Sequence, residues 1–179
     1  MNKTDYSPII TKTTKQTFFN YINLLNIPLI DYVAIGVQNQ ISKKSISLMS
    51  LPEWQQHFVQ NQYANYDPLR KVTLNTKRNF IPFQEIDFGD NFGKEIMGKR
   101  AMMGIKNGII LMKRFEKYSY MITLGTGFMK FEAYDFIKQH HDKVNLIQKD
   151  LIALIGKDAR TFLSELFLKP SIHPSIDAI

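Results

Sequence analysis

The chain has 179 residues and no cysteine, long enough for one domain with a core that needs no staples; disulfides, thiolate metal sites and cysteine nucleophiles are excluded. The net charge is +7 and the pI is near 9.5, yet the densest basic groups are only the pairs Arg70-Lys71, Lys77-Arg78 and Lys113-Arg114. They form no run and are not interleaved with aromatics as a base-stacking groove is, so they read as solvated surface, and no specific DNA binding by this chain is expected.

The first residues, Met1-Asn-Lys-Thr-Asp-Tyr6, have no apolar core and read as a loose arm over 1–10 rather than a secretory signal. No run of about twenty apolar residues exists, so no membrane span and a cytoplasmic location are expected. Phe18, Tyr21, Ile22 and Leu25 recur at helical spacing and predict a helix over 11–25, stopped by Asn26-Ile-Pro28. Asp31–Val37 is rich in β-branched residues and Ser45–Met49 alternates, which predicts a two-stranded hairpin across the turn region 39–43.

Pro52 opens a helix carrying Trp54, the only tryptophan, to about Asn61. The residue before a proline is pushed out of the α region, so this helix ends before Asp67-Pro68. Asp67 then suits the N-cap of a second helix running to about Asn75. Residues 77–88 read as irregular or extended, and Asp87-Phe88-Gly89 within them as a turn. A helix over 90–103 closes on Gly104. Residues 108–115 and 118–125 form a hairpin around Glu116-Lys117. From Lys130 a long amphipathic helix follows, with Phe131, Tyr134, Ile137, Val144, Ile147, Leu151 and Leu154 as its stripe. Gly156 is expected to break it before Phe162–Phe167, and Pro170 and Pro174 mark a tail over 169–179. Hairpins flanked by helices predict an α+β fold, an antiparallel sheet sandwiched by helices, over 11–168.

No catalytic signature is present: no phosphate loop, no HExxH, no Gly-x-Ser-x-Gly. Neither an enzyme nor a cofactor is expected. Gly125-Thr-Gly127 reads as a turn. His140 and His141 point about 100° apart on a helix and cannot easily share a metal, so with Asp142 they read as surface, as does His57. Thirteen Phe and eight Met supply lining for an apolar cavity, although each alone is more simply core. Trp54 and Asp67 stand apart. A buried indole N–H wants an acceptor and a buried carboxylate wants donors, and a ligand with one carbonyl and one amide N–H satisfies both.

A tryptophan followed by Asp-Pro thirteen residues on, here Trp54, Asp67 and Pro68, resembles the autoinducer-binding domain of LuxR-type quorum-sensing regulators. Gly104-Ile-Lys-Asn-Gly108-Ile-Ile resembles that family's Gly-x-x-x-Gly lead into a strand. Tyr118–Gly125 resembles the next strand, with Thr123 near a pocket hydroxyl. The resemblance spans about 31–166. It implies a PAS/GAF-like α-β-α fold and an acyl-homoserine-lactone-type signal. Trp54 would donate to its lactone carbonyl, Asp67 would accept from its amide, and Phe58, Tyr66, Phe83 and Thr123 would line the pocket.

This chain departs from the family pattern in four places. Phe58 stands where the family usually has Tyr, Ser50 stands where Tyr is common, and no second tryptophan lies near Ile81-Pro82-Phe83. After Phe167 too few residues remain for the family's helix-turn-helix. The expectation is therefore a sensor domain without its own DNA reader. The competing reading is a ligand-free interaction module that pairs with or titrates a full-length regulator. The matching helix contributes to dimer contacts in that family. About twenty-five helical residues span about 38 Å, more than one small sheet covers, so a homodimer or heterodimer through Val144, Ile147, Leu151 and Leu154 is expected.

Overall fold

A computed structural model describes residues 10–165, with side chains to residue 161. The expected tail, and all of the expected arm except Ile10, lie outside the described residues. Ile10 itself is buried in the core.

The fold is α+β. Helix α1 (Lys12–Leu24) starts on Thr11, whose hydroxyl accepts the Thr14 N–H at 3.1 Å. Strands β1 (Tyr32–Asn39) and β2 (Ser45–Met49) form the first hairpin. Three helices follow: α2 (Pro52–Gln60), α3 (Pro68–Asn75) and α4 (Asn91–Met102). A short strand β3 (Phe80–Pro82) lies between α3 and α4, inside the stretch expected to be irregular or extended. Strands β4 (Asn107–Phe115) and β5 (Tyr118–Thr126) form the second hairpin, and α5 (Ala133–Glu165) ends the described chain. The strands make one antiparallel sheet in the order β2-β1-β5-β4-β3.

Alternation along the strands divides the core in two. Val33, Ile35, Val37, Ile46, Leu48, Ile109, Leu111, Ile122 and Leu124 pack with α1 and α5. Tyr32, Ala34, Met49, Ile110 and Met112 face the opposite layer, with Trp54, Phe58, Leu69, Phe83 and Ile96. The Gly-x-x-x-Gly stretch is needed for its backbone. Gly104 ends α4 at φ +85°, and a Cβ on Gly108 would lie 2.3 Å from Leu124 O.

Two expectations about α5 are corrected. Gly156 does not break it: the helix runs from Ala133 to Glu165, and its one non-helical residue is His140 (φ −120°, ψ 19°). A helical glycine costs about 1 kcal/mol, which burial of Ile155 and Ala159 beside it outweighs. Nor is the apolar stripe left over for a partner. Val144, Ile147 and Leu151 are buried in the chain's own core and Leu154 packs against it. The sheet and α1 together cover these four positions; Tyr134 of the expected stripe is exposed, and Phe131 lies ahead of the helix, which begins at Ala133. Tyr21 Oη donates to Asp150 Oδ2 at 2.9 Å, and Thr11 N donates to Asp158 Oδ2 at 3.0 Å, holding α1 along α5. Among the described residues no helix is long and apolar enough to cross a membrane.

Candidate functional site

The site lies on the face of the sheet under α2, α3 and α4. Pro52 at the head of α2 sets a register that buries Trp54 and Phe58, four residues apart, on the inner face of the helix. Their rings meet edge to face at 5.9 Å. Asp67 caps α3, its Oδ1 accepting the Leu69 N–H at 3.2 Å, with Pro68 as the first helical residue. It is also 2 % exposed. The cap and the buried polar group are therefore one residue.

Its partner comes from α4. Gly93, Ile96, Met97 and Arg100 are the buried residues of that helix, at helical spacing, so an arginine occupies the end of an inward stripe. Arg100 Nη1 and Nη2 donate to Asp67 Oδ1 and Oδ2 at 3.0 and 3.1 Å, a bidentate pair. Nη1 also contacts Met97 Sδ at 2.8 Å. The guanidinium carbon stands 5.2 Å from the centre of the Trp54 ring, a cation–π contact. Two buried donors, Arg100 Nε–H and Trp54 Nε1–H, have no acceptor among the described residues. Tyr32 completes the cluster. Burial pushes its phenol well above the usual tyrosine range; Arg100 and the Trp54 indole N–H pull it down, and Asp67 pushes it further up. The indole N–H is thus placed to favour a phenolate, yet it completes no hydrogen bond to the neutral hydroxyl.

From this charge pair an apolar cleft runs along the sheet. Its floor is three cross-strand rows. Met49, Ala34 and Thr123 form the row nearest Tyr32; Ser47, Gly36, Met121 and Met112 form the middle one; Ser45, Gln38 and Ser119 form the third. Ala34 and Gly36 make a trough in the centre. Met121 lies over it, its Cε 3.7 Å from where a Gly36 Cβ would stand. Phe58, Asp67, Leu69, Thr73, Leu74 and Arg100 form the wall above. Arg114 Nη2 donates to Thr73 O at 2.9 Å and to Thr76 O, tying the end of α3 to β4. The cavity volume is about 70 Å³, room for a few waters rather than for the about 300–1,000 Å³ of a typical ligand site.

Asp67, Phe58 and Thr123 line the cleft. Trp54 is fully buried but does not line it, because Arg100 lies over its ring. Phe83 is buried in the same helical layer, away from the cleft. Tyr66 is 48 % exposed and edges onto Phe92 at 5.0 Å. The buried aromatic of that turn is Tyr63, which the sequence reading passed over, and which packs on Trp54 at 6.1 Å. His57 is half-buried beside it, Nε2 3.3 Å from Tyr63 Oη. Arg100, Tyr32 and Gly36 also went unread. The signal for Arg100 was present: it stands four residues after Ile96 and three after Met97 on a helix that presents few other apolar residues.

No family model and no curated protein matches the sequence. Solved structures do. The N-acylhomoserine-lactone-dependent LuxR family transcription factor CepR2 of Burkholderia cenocepacia matches with a TM-score of 0.52 at 16% identity, over 79% of this chain and 79% of that one. The fold is that of the LuxR-type autoinducer-binding domain. SdiA in complex with octanoyl-rac-glycerol matches with a TM-score of 0.56 at 12% identity, over 98% of this chain and 75% of that one. The solution structure of residues 1–171 of Escherichia coli SdiA matches with a TM-score of 0.54 at 12% identity, over 84% and 88% of the two chains. In this LuxR-type frame the cleft opens between the sheet and α2–α4, while α1 and α5 close the other side.

Proposed function

We propose that the chain is a signal-sensing domain that binds a small amphipathic ligand, of the acyl-homoserine-lactone kind, for transcriptional regulation in the cytoplasm. One observation carries this reading: an apolar cleft floored by Ala34 and Gly36 ends on the buried Asp67–Arg100 pair. The acyl chain would lie in the trough among Met49, Met112 and Met121, whose flexible thioethers re-pack around an irregular guest. The head would meet Asp67, Arg100, Tyr32 and Thr123. Trp54 and Phe58 would support that end, Trp54 through the guanidinium stacked on it. Two proteins of the same fold add weight: CepR2 is described as acyl-homoserine-lactone dependent, and an SdiA structure holds octanoyl-rac-glycerol.

Mass spectrometry of small molecules extracted from the purified chain tests this directly, together with thermal shifts against a series of acyl-homoserine lactones. Gly36→Met should fill the trough, preserve the fold and abolish the shift. A chain that carries no acyl compound and answers to none would leave the second reading, which the small cavity favours. In it the chain fills its own cleft and pairs with, or titrates, a full-length regulator. Sedimentation of the chain alone and mixed with such a regulator measures that outcome.

A further inference from the structure

The head-group end of the cleft is electrically complete before any ligand arrives. Asp67 accepts from Arg100 Nη1, Arg100 Nη2 and Leu69 N, three of the roughly four bonds a carboxylate takes. What the site lacks is acceptors. Arg100 Nε–H is buried and unpartnered, and Arg100 lines the cleft with the Thr123 hydroxyl. The other cation on the wall, Arg70, is half-buried and engages Ala64 O through Nη1. We infer that this site takes a neutral head group read through its hydrogen-bond acceptor oxygens, and that it does not require the N–H donor of an amide, because Arg100 already holds both oxygens of Asp67.

This rests on the sensor reading above and adds a specificity-determining residue to it. A site that presents a bare buried carboxylate strongly rejects a ligand lacking the matching N–H, since its own acceptor is left unpaired. Here the carboxylate is paired in advance, so an ester oxygen in place of the N–H removes no needed bond. A ligand carboxylate is disfavoured for the opposite reason. It would bring a second negative charge against Asp67, and the Arg100 charge is already taken up by that carboxylate.

Three probes separate the possibilities: N-octanoyl homoserine lactone, its ester analogue with oxygen in place of the amide N–H, and octanoate. Each is titrated calorimetrically into the full chain, the Arg100→Met variant and the Arg100→Lys variant. For the unaltered chain the ester should bind within about threefold of the amide, and octanoate should bind at least about tenfold more weakly than the ester. Arg100→Met frees Asp67 and should bring an amide preference of about tenfold or more. Arg100→Lys keeps the charge but cannot fork across both oxygens, so a smaller amide preference should return even if the Met variant fails to fold. An unaltered chain that prefers the amide tenfold, or takes octanoate as tightly as the ester, overturns the inference and leaves the sensor reading standing. Binding of none of the three removes the sensor reading, and this inference with it.

Discussion

The two faces of the sheet obey the same alternation and end as different things. On the α1–α5 face, Ile35, Ile122, Leu151 and Ile155 are fully buried and the layer is closed by large branched side chains. On the α2–α4 face β1 presents Ala34 and Gly36, its neighbours β2 and β5 present Met49 and Met121, and a charge pair sits at one end. Periodicity settles which residues point inward; side-chain size then decides whether the interior is a core or a site. One face is built for stability and the other gives some of it up for room.

The sharpest way to break that contrast is at the charge pair. Asp67→Ala leaves Arg100 buried without a counter-charge, and should cost about 3–5 kcal/mol in urea unfolding; a loss below about 1 kcal/mol would mean that the pair is not sealed from water. On the closed face, Leu151→Ala should cost about 2–5 kcal/mol. Met121→Ala, over the trough and half-buried, should cost only about 1 kcal/mol. Equal costs at the two positions would erase the distinction between the faces.

A third test uses alkali. Tyr32 and Tyr21 have phenol pKa values raised above the ordinary value of 10.0, in both cases mainly by burial. The folded chain therefore holds protons that the unfolded chain has released above pH 10. Their contribution is fully present below that pH and is lost as pH rises beyond it, by up to about 1.4 kcal/mol per pH unit for each proton. Tyr32→Phe should flatten the fall in stability between pH 10 and 11; an unchanged slope would place the phenol in contact with water. The smallest effect is expected at Gly36. A Cβ there meets only ordinary contacts, so Gly36→Ala should stabilise by about 0.5–1 kcal/mol, the usual gain from removing a strand glycine. Destabilisation would show that the trough is already full.

Most of the fold was legible because its signals are local. Pro52 and Pro68 mark helix starts, Gly104 marks an end, alternation marks β2, and the turn at Glu116-Lys117 marks the second hairpin. β3 was not separated from its surroundings because three residues ending in a proline hold as a strand only through pairing with Ile109, Ile110 and Leu111. Gly156 misled because its intrinsic cost is real but smaller than the packing around it. At the site, Trp54 and Asp67 could be read for burial but not for what they touch. A basic residue in the last turn of α4 looks like a helix-end charge facing water, and only the tertiary fold turns Arg100 inward. Tyr66 failed for the converse reason: in a turn with Tyr63, one aromatic goes in and the other out, and no period separates them.

The stacking of Arg100 on Trp54 has an optical consequence. The chain has a single tryptophan, it is 0 % exposed, and a guanidinium stands over its ring. Its emission should therefore lie to the blue of free indole. Any event that shifts Arg100 relative to that ring changes the electric field on the one indole the protein owns, so the protein carries its own light signal at the end of the cleft.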